Sequence, residues 1–415
     1  MPVTRREFIK RTVGAVGVAA LMPGLSLASR AQSDRRIFVV IQFTGGNDGL
    51  NTVIPYSNSR YRTLRPSLGL RESDLEDSRN RSTVISDKLG LHPSLGEIKD
   101  LYDADRVAII LGVGYPNPNQ SHFTSMDIWH TANAVDGRGK GWLGRYADLA
   151  LSDESGLVAL STTFRLPRML LAERAVIPSI NLSAFNSYDI RTDPDFAFER
   201  GARINSLIEG NSRSFPPLSF LGEVARNGNS ALEKVEKIKA ARTNYTSSIA
   251  YPANNQLAAG LKMIAQVATT TEESLLFYVT LSDFDHHARQ AATHAALLGQ
   301  FSQAVKAFYD DMQQHSLADK VLIMQWSEFG RRPFENGSQG TDHGAASMMF
   351  VVGDAVRGGV YGHQPSLEVI DIDQVGNLKF NVDFRAVYGT ILDGWLGVDQ
   401  EMILGERFEN IGFLS

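Results

Sequence analysis

Nearly unbroken apolar runs recur along the chain. Ile37-Phe38-Val39-Val40-Ile41-Gln42-Phe43, Val107–Leu111, Leu275–Leu281, Val321–Trp326 and Met348–Val352 lack the polar residue at every second position that marks a half-solvated strand. They predict strands covered on both faces. Leu157–Leu160 predicts another. Between the runs, Ser94–Tyr102, Phe123–Ala134 and Ala288–Gln314 show helical spacing with few breakers. Strands alternating with helices predict a three-layer α/β sandwich, a central mostly parallel sheet between helices. One stretch breaks the pattern. Residues 181–270 are polar and loop-rich as far as Asn211 and then helical over Leu218–Val267, which predicts a mostly helical insertion or cap within a domain spanning 36–415.

Composition narrows the class. The chain has 415 residues, 43% hydrophobic and 21% charged, enough for one large domain with a sizeable core. Its formal net charge is −5, although Arg5, Arg6, Lys10, Arg11 and Arg30 crowd the amino terminus. The remainder is therefore more acidic still, and nucleic acid is not an expected partner, because phosphate binding needs clustered bases. There is no cysteine, so disulfides, thiolate ligands and a cysteine nucleophile are excluded.

The amino terminus reads as an address. Thr4-Arg5-Arg6-Glu7-Phe8-Ile9-Lys10 matches a twin-arginine export signal and precedes a weakly apolar, Gly- and Ala-rich segment, Thr12–Leu27. Small residues allow cleavage after Ala28 or Ala31, so residues 1–31 are expected to be removed. The expectation is a periplasmic or secreted protein, with the twin-arginine machinery as a transient partner. No later run is long and apolar enough to span a bilayer, so no stable membrane span remains after cleavage.

Candidate chemistry gathers at the ends of the apolar runs. Asp283-Phe284-Asp285-His286-His287 follows one, Ser327-Glu328-Phe329-Gly330-Arg331 follows another, and Asp342-His343 sits between Gly340-Thr341 and Gly344. Several carboxylates and imidazoles at strand ends are costly to desolvate without a partner. A divalent cation is the usual one, since both groups are good ligands. In an extended segment Asp285 and His287 point one way and His286 the other, which makes Asp285 and His287 the better pair, with Asp283 as the alternative carboxylate. Glu328 is either a ligand or half of a surface pair with Arg331. Arg331 is a candidate clamp for an anionic substrate. Asp342-His343 is either a ligand loop or a polar turn. Asp48, in Gly45-Gly46-Asn47-Asp48-Gly49, is either a turn residue or a ligand at the carboxyl end of the first strand. Ser121 precedes a helix and is either its N-cap or a nucleophile favoured by the helix dipole. His294 and His315 are expected on the surface of the long helix.

The motifs in this order resemble the bacterial domain-of-unknown-function family 1501. They are Phe43-Thr44-Gly45-Gly46-Asn47-Asp48-Gly49-Leu50-Asn51, Ser121-His122-Phe123, Gly141-Trp142-Leu143-Gly144-Arg145, Phe284-Asp285-His286-His287, Ser327-Glu328-Phe329-Gly330-Arg331 and Gly340-Thr341-Asp342-His343-Gly344. That family looks like a distant branch of the alkaline phosphatase and sulfatase superfamily. The resemblance implies an alkaline-phosphatase-like fold and a divalent metal, zinc, calcium or manganese. It implies Asp48, Asp285, His287, Glu328 and His343, with Asp342 beside it, as the metal set, and Ser121 as nucleophile. The implied activity is hydrolysis of phosphate or sulfate monoesters, with a small anionic or ester substrate; a non-catalytic metal- or polyanion-binding protein of the same fold is the alternative. Glu328-Phe329 stands where the superfamily usually shows Asp-His, so one imidazole is missing.

Overall fold

The computed structural model describes residues 35–151, 157–180, 234 and 237–415. The expected export signal and residues 181–233 of the expected insertion lie outside them. Arg36–Ser415 forms one compact unit.

An eight-stranded sheet runs through this unit. Its strands are β1 (Ile37–Phe43), β2 (Val107–Gly114), β3 (Ala159–Ser161), β4 (Leu275–Leu281), β5 (Val321–Ser327), β6 (Ser347–Gly353), β7 (Gly359–Gly362) and β8 (Val382–Asp383). The order is β8-β2-β6-β5-β1-β4-β3, with β7 also pairing with β2. The apolar runs become the central strands because both of their faces are covered. Ile37, Val39, Ile41 and Phe43 enter one core, and Phe38 and Val40 enter the other. Full burial of each such side chain stabilises the fold by about 1.5–3 kcal/mol.

The first core is closed by α1 (Gly96–Asp103), α4 (Gln256–Ala268) and α5 (Gln290–Gln314). The second is closed by α2 (His122–Thr131), α3 (Trp142–Ala150) and α6 (Phe384–Ile391), with Trp129, Trp142, Phe384 and Tyr388 stacked together. The result is the three-layer sandwich the sequence predicts. Helix α4 falls at the end of the stretch expected as an insertion, and it packs into the first core against α5 and β4. No helix among the described residues is long and apolar enough to cross a membrane.

Strand β6 departs from the parallel rule, running antiparallel to β5 and β2. The connection from β5 to β6, residues 328–346, contains no helix. A parallel crossover needs a longer unit that returns the chain to the opposite edge. Without one, β6 must start at the edge where β5 ends, which leaves Asp342 and His343 beside Glu328.

The long helix starts at Gln290, two residues later than expected, because Arg289 takes a left-handed conformation, φ 44°. The amides of Arg289 and Gln290 donate to Ser338 O and Gln339 O, both at 2.9 Å, which ties the helix start to the loop before Asp342. The expectation that His294 is a surface residue is corrected: it is 2% exposed, because its position on α5 faces the first core. His315 is the C-cap of α5 and half-buried, with its ring nitrogens against Asp311 O and Thr246 O.

Candidate metal centre

Strands β4, β1 and β5 are parallel and level, with Phe43 paired to both Leu281 and Ser327. Their carboxyl ends therefore open into one crowded edge. Gly45 and Gly46 make that crowding possible. Both have positive φ, and a Cβ would lie 2.5 Å from Asp285 N at Gly45 and 2.4 Å from the Phe329 ring at Gly46. Phe43 stacks on Phe284 at 4.4 Å, anchoring the Asp283–His287 loop to the core.

Three histidines meet at Asp285. His343 Nε2 and His287 Nε2 each lie 3.0 Å from Asp285 Oδ1, and His122 Nε2 lies 3.5 Å from Oδ2. The other nitrogen of each ring faces an acceptor. His122 Nδ1 is 2.8 Å from Glu328 Oε1, His287 Nδ1 is 3.3 Å from Asp342 Oδ1, and His343 Nδ1 is 2.9 Å from Gln120 O. Carboxylate and carbonyl oxygens only accept, so each ring faces an acceptor at both nitrogens while a neutral ring has one hydrogen to give; with that hydrogen on Nδ1, the Nε2 lone pair faces Asp285. Lone pairs directed at a carboxylate repel it unless a cation or extra protons lie between them. The Nε2 atoms of two rings are also only 3.1 Å apart, at His287 and His343. Among the described residues, His122, Asp285 and His343 offer ligand atoms all within 4.8 Å of one another. These residues fit a metal ion of the kind that imidazole and carboxylate bind.

The charges follow the geometry. Burial raises the pKa of Asp285, but Arg331, with His343 beside it, outweighs burial and holds the carboxyl well below the usual range. The hydrogen bond to Glu328 raises that of His122. Asn336 and His287 lower that of Asp342. Phe329 packs against His122 and His343, with ring centroids 4.9 and 4.7 Å away.

The expected site residues thus divide. Asp285, His287, His343, Asp342 and Glu328 come together. Asp283 is exposed, has φ 77°, and stays outside the cluster. Ser121 sits beside His122 at the N-cap of α2, exposed, with extended backbone angles and no side-chain cap bond. His286 turns the other way, 6.1 Å from His294. Arg331 is 2% exposed and not turned to solvent as a clamp would be. Its guanidinium donates to the carbonyls of Gly45, Gly46, Phe284 and Thr341 and to Asp285 at 2.6 Å. That binds three loops together.

Asp48 lies apart from the cluster. Its Oδ2 pairs with Arg65 Nη1 at 2.6 Å, with both side chains almost fully buried, and Gln290 donates to the same oxygen. Burial raises the Asp48 pKa and Arg65 outweighs it, so the carboxyl is lowered. His122 was missing from the expected ligand set. Its signal was available: it stands in a short motif with Ser121, at the first turn of a helix on the sheet's carboxyl edge.

Residues 223–405 match the DUF1501 family, described as a protein of unknown function. The DUF1501 match takes in Asp285, His287, Glu328, Asp342 and His343 and leaves Asp48, Ser121 and His122 outside. The chain is similar in fold to the PsFucS1 sulfatase from Pseudoalteromonas sp., at 10% identity over 94% of this chain and 75% of that one, with a TM-score of 0.38. It is also similar to an alkaline phosphatase superfamily protein from Vibrio parahaemolyticus, at 8% identity over 80% and 63%, with a TM-score of 0.36. A third similarity is to the soluble domain of lipooligosaccharide phosphoethanolamine transferase A from Neisseria meningitidis, at 10% identity over 77% of each chain, with a TM-score of 0.34. No curated protein matches the chain.

Proposed function

We propose that the chain is an exported, metal-dependent hydrolase of phosphate or sulfate monoesters. The observation that carries this reading is the convergence of three Nε2 atoms on Asp285, with an acceptor at the Nδ1 of each ring. His122, Asp285 and His343 would hold the ion, with His287 beside them. Two or three imidazoles favour zinc over calcium or manganese, which prefer oxygen ligands. Bound there, the ion would polarise the ester and favour an ionised hydroxyl nearby. Ser121 is the nucleophile in this reading. It is exposed, and its side chain makes no cap bond, so the hydroxyl is not tied to the helix it precedes. The α2 dipole favours negative charge on that oxygen and on a bound phosphate or sulfate. Ser121 Oγ would give up its proton and bond to phosphorus or sulfur as the ester oxygen leaves and takes up a proton as the alcohol; water would then attack the same phosphorus or sulfur, releasing phosphate or sulfate and restoring the Ser121 hydroxyl. Export rests on Arg5-Arg6 and the small-residue cleavage sites that follow.

A second reading has its own support. Arg65 already neutralises Asp48, and Phe329 stands where the superfamily shows an imidazole, so the ligands suffice for one ion. A single-ion protein that binds an anion without turning it over fits that count.

One experiment separates the two. Protein loaded with zinc or manganese is assayed with aryl phosphates and aryl sulfates, alongside Ser121→Ala. The hydrolase reading expects turnover in the wild type, and in Ser121→Ala a loss of several orders of magnitude with metal content unchanged. Bound metal with no turnover of either ester leaves the binding reading in its place.

A further inference from the structure

Resting on the metal site just proposed, we propose that Glu328 is not a metal ligand but the residue that positions His122 as one. Glu328 is 1% exposed and follows β5 directly. Its Oε1 accepts from the amide of Gly45 at 2.8 Å and from His122 Nδ1 at 2.8 Å. Its Oε2 lies 3.3 Å from Ser327 Oγ, whose hydroxyl donates to Phe43 O at 2.8 Å. Oε1 is therefore engaged twice within the protein, and Glu328 does not join the close set of His122, Asp285 and His343. A carboxylate behind an imidazole does two things. It fixes the tautomer that leaves Nε2 free for the ion, and it makes that nitrogen a stronger donor. The amide of Gly45 fixes the carboxylate in turn, so the first Gly-rich turn reaches the ion through Glu328 and His122. Asp342 stands in the same relation to His287, but in the open: both side chains are 48% exposed and the distance is 3.3 Å. The buried pair is the one whose loss should register.

The test compares wild type with Glu328→Gln, which keeps the shape of the side chain and removes its charge. Zinc affinity is measured by competition with a chromophoric chelator, and the ligand set of each loaded protein by X-ray absorption. The expected result is a roughly 10–100-fold weaker affinity with an unchanged ligand set. Unchanged affinity overturns the proposal and leaves the metal site standing. Loss of one oxygen ligand in the variant also overturns it, because Glu328 is then a ligand. A wild type that takes up no zinc overturns the metal site and the proposal with it. Should Glu328→Gln not fold, the wild type supplies the answer: ¹⁵N shifts of histidine in the metal-free protein at alkaline pH should show His122 as the Nδ1–H tautomer. An Nε2–H tautomer overturns the proposal.

Discussion

Two histidine- and carboxylate-rich regions lie at the same end of the sheet and behave in opposite ways. Around Asp285, three rings converge with their Nε2 atoms inward, and Asp285, His287 and Asp342 are half exposed. Around Asp48, the carboxylate is answered by Arg65 and Gln290, and Asn47 Oδ1 meets His294 Nε2 at 3.1 Å inside a closed core. The residue types are the same. Each carboxylate has an arginine, Arg331 at Asp285 and Arg65 at Asp48, but Asp285 also faces three imidazoles and is open to solvent, so its cluster suits an external ion. The other is closed off in the core around its Arg65 pair and contributes to the fold. A carboxylate at a strand's carboxyl end is therefore not a ligand by position alone; what matters is whether it faces imidazoles and solvent or is closed in with its arginine.

Breaking the internal pair should have the largest effect on stability. Arg65→Met leaves the Asp48 charge buried and unpaired, and should cost about 3–5 kcal/mol in urea unfolding. A loss below about 1 kcal/mol would mean that Asp48 finds another partner, and the contrast between the clusters would fail.

Acid should sharpen the contrast next. Burial lowers the pKa of His294 to about 3 and that of His92 to about 4, from an ordinary 6.5. Between those values the unfolded chain binds more protons than the folded one, so stability falls as pH drops from about 6.5 towards 4. Each buried histidine should contribute about 1 kcal/mol per pH unit to that slope. His294→Gln should flatten the slope between pH 6.5 and 4, measured as the urea midpoint against pH; an unchanged slope would remove His294 from the buried set. His122 shifts the other way, raised by its bond to Glu328.

The smallest stability effect is expected in the open cluster. His287→Ala, at a side chain 48% exposed, should change the metal-free stability by about 0.5 kcal/mol or less. It should, however, shrink the rise in Tm that zinc produces, because metal stabilises only in proportion to its affinity for the folded state. A metal-free Tm that falls as far as that of Arg65→Met would show that both clusters serve the fold.

Much of the architecture was legible in the sequence because it depends on periodicity. β1, β4, β5 and the long helix α5 lie within two residues of their expected places. Runs such as Ile37–Phe43 leave no polar face, and only a strand covered on both sides accommodates that. The side of α5 on which His294 falls was not legible, because a mixed helical pattern does not say which neighbour meets which turn. His122 escaped for a related reason: Nε2 is useful only once Glu328, 206 residues away in sequence, stands behind Nδ1.

The sequence by itself determined which groups could take part: no thiol, a surplus of carboxylate, and histidines placed after strands. It also determined that the strand ends would meet, since level parallel strands bring their carboxyl ends to one edge. Only the tertiary structure decided which carboxylate faces open space. Asp48 and Asp285 both follow apolar strands and both meet an arginine at 2.6 Å, yet one pair is closed in the core and the other carboxylate also meets three imidazoles at the surface. That difference arises from the path of the segment carrying Arg65 and from the helix-free return that brings His343 beside β5. A charge is settled by whatever lies within a few ångströms of it, and most of those neighbours come from distant parts of the chain.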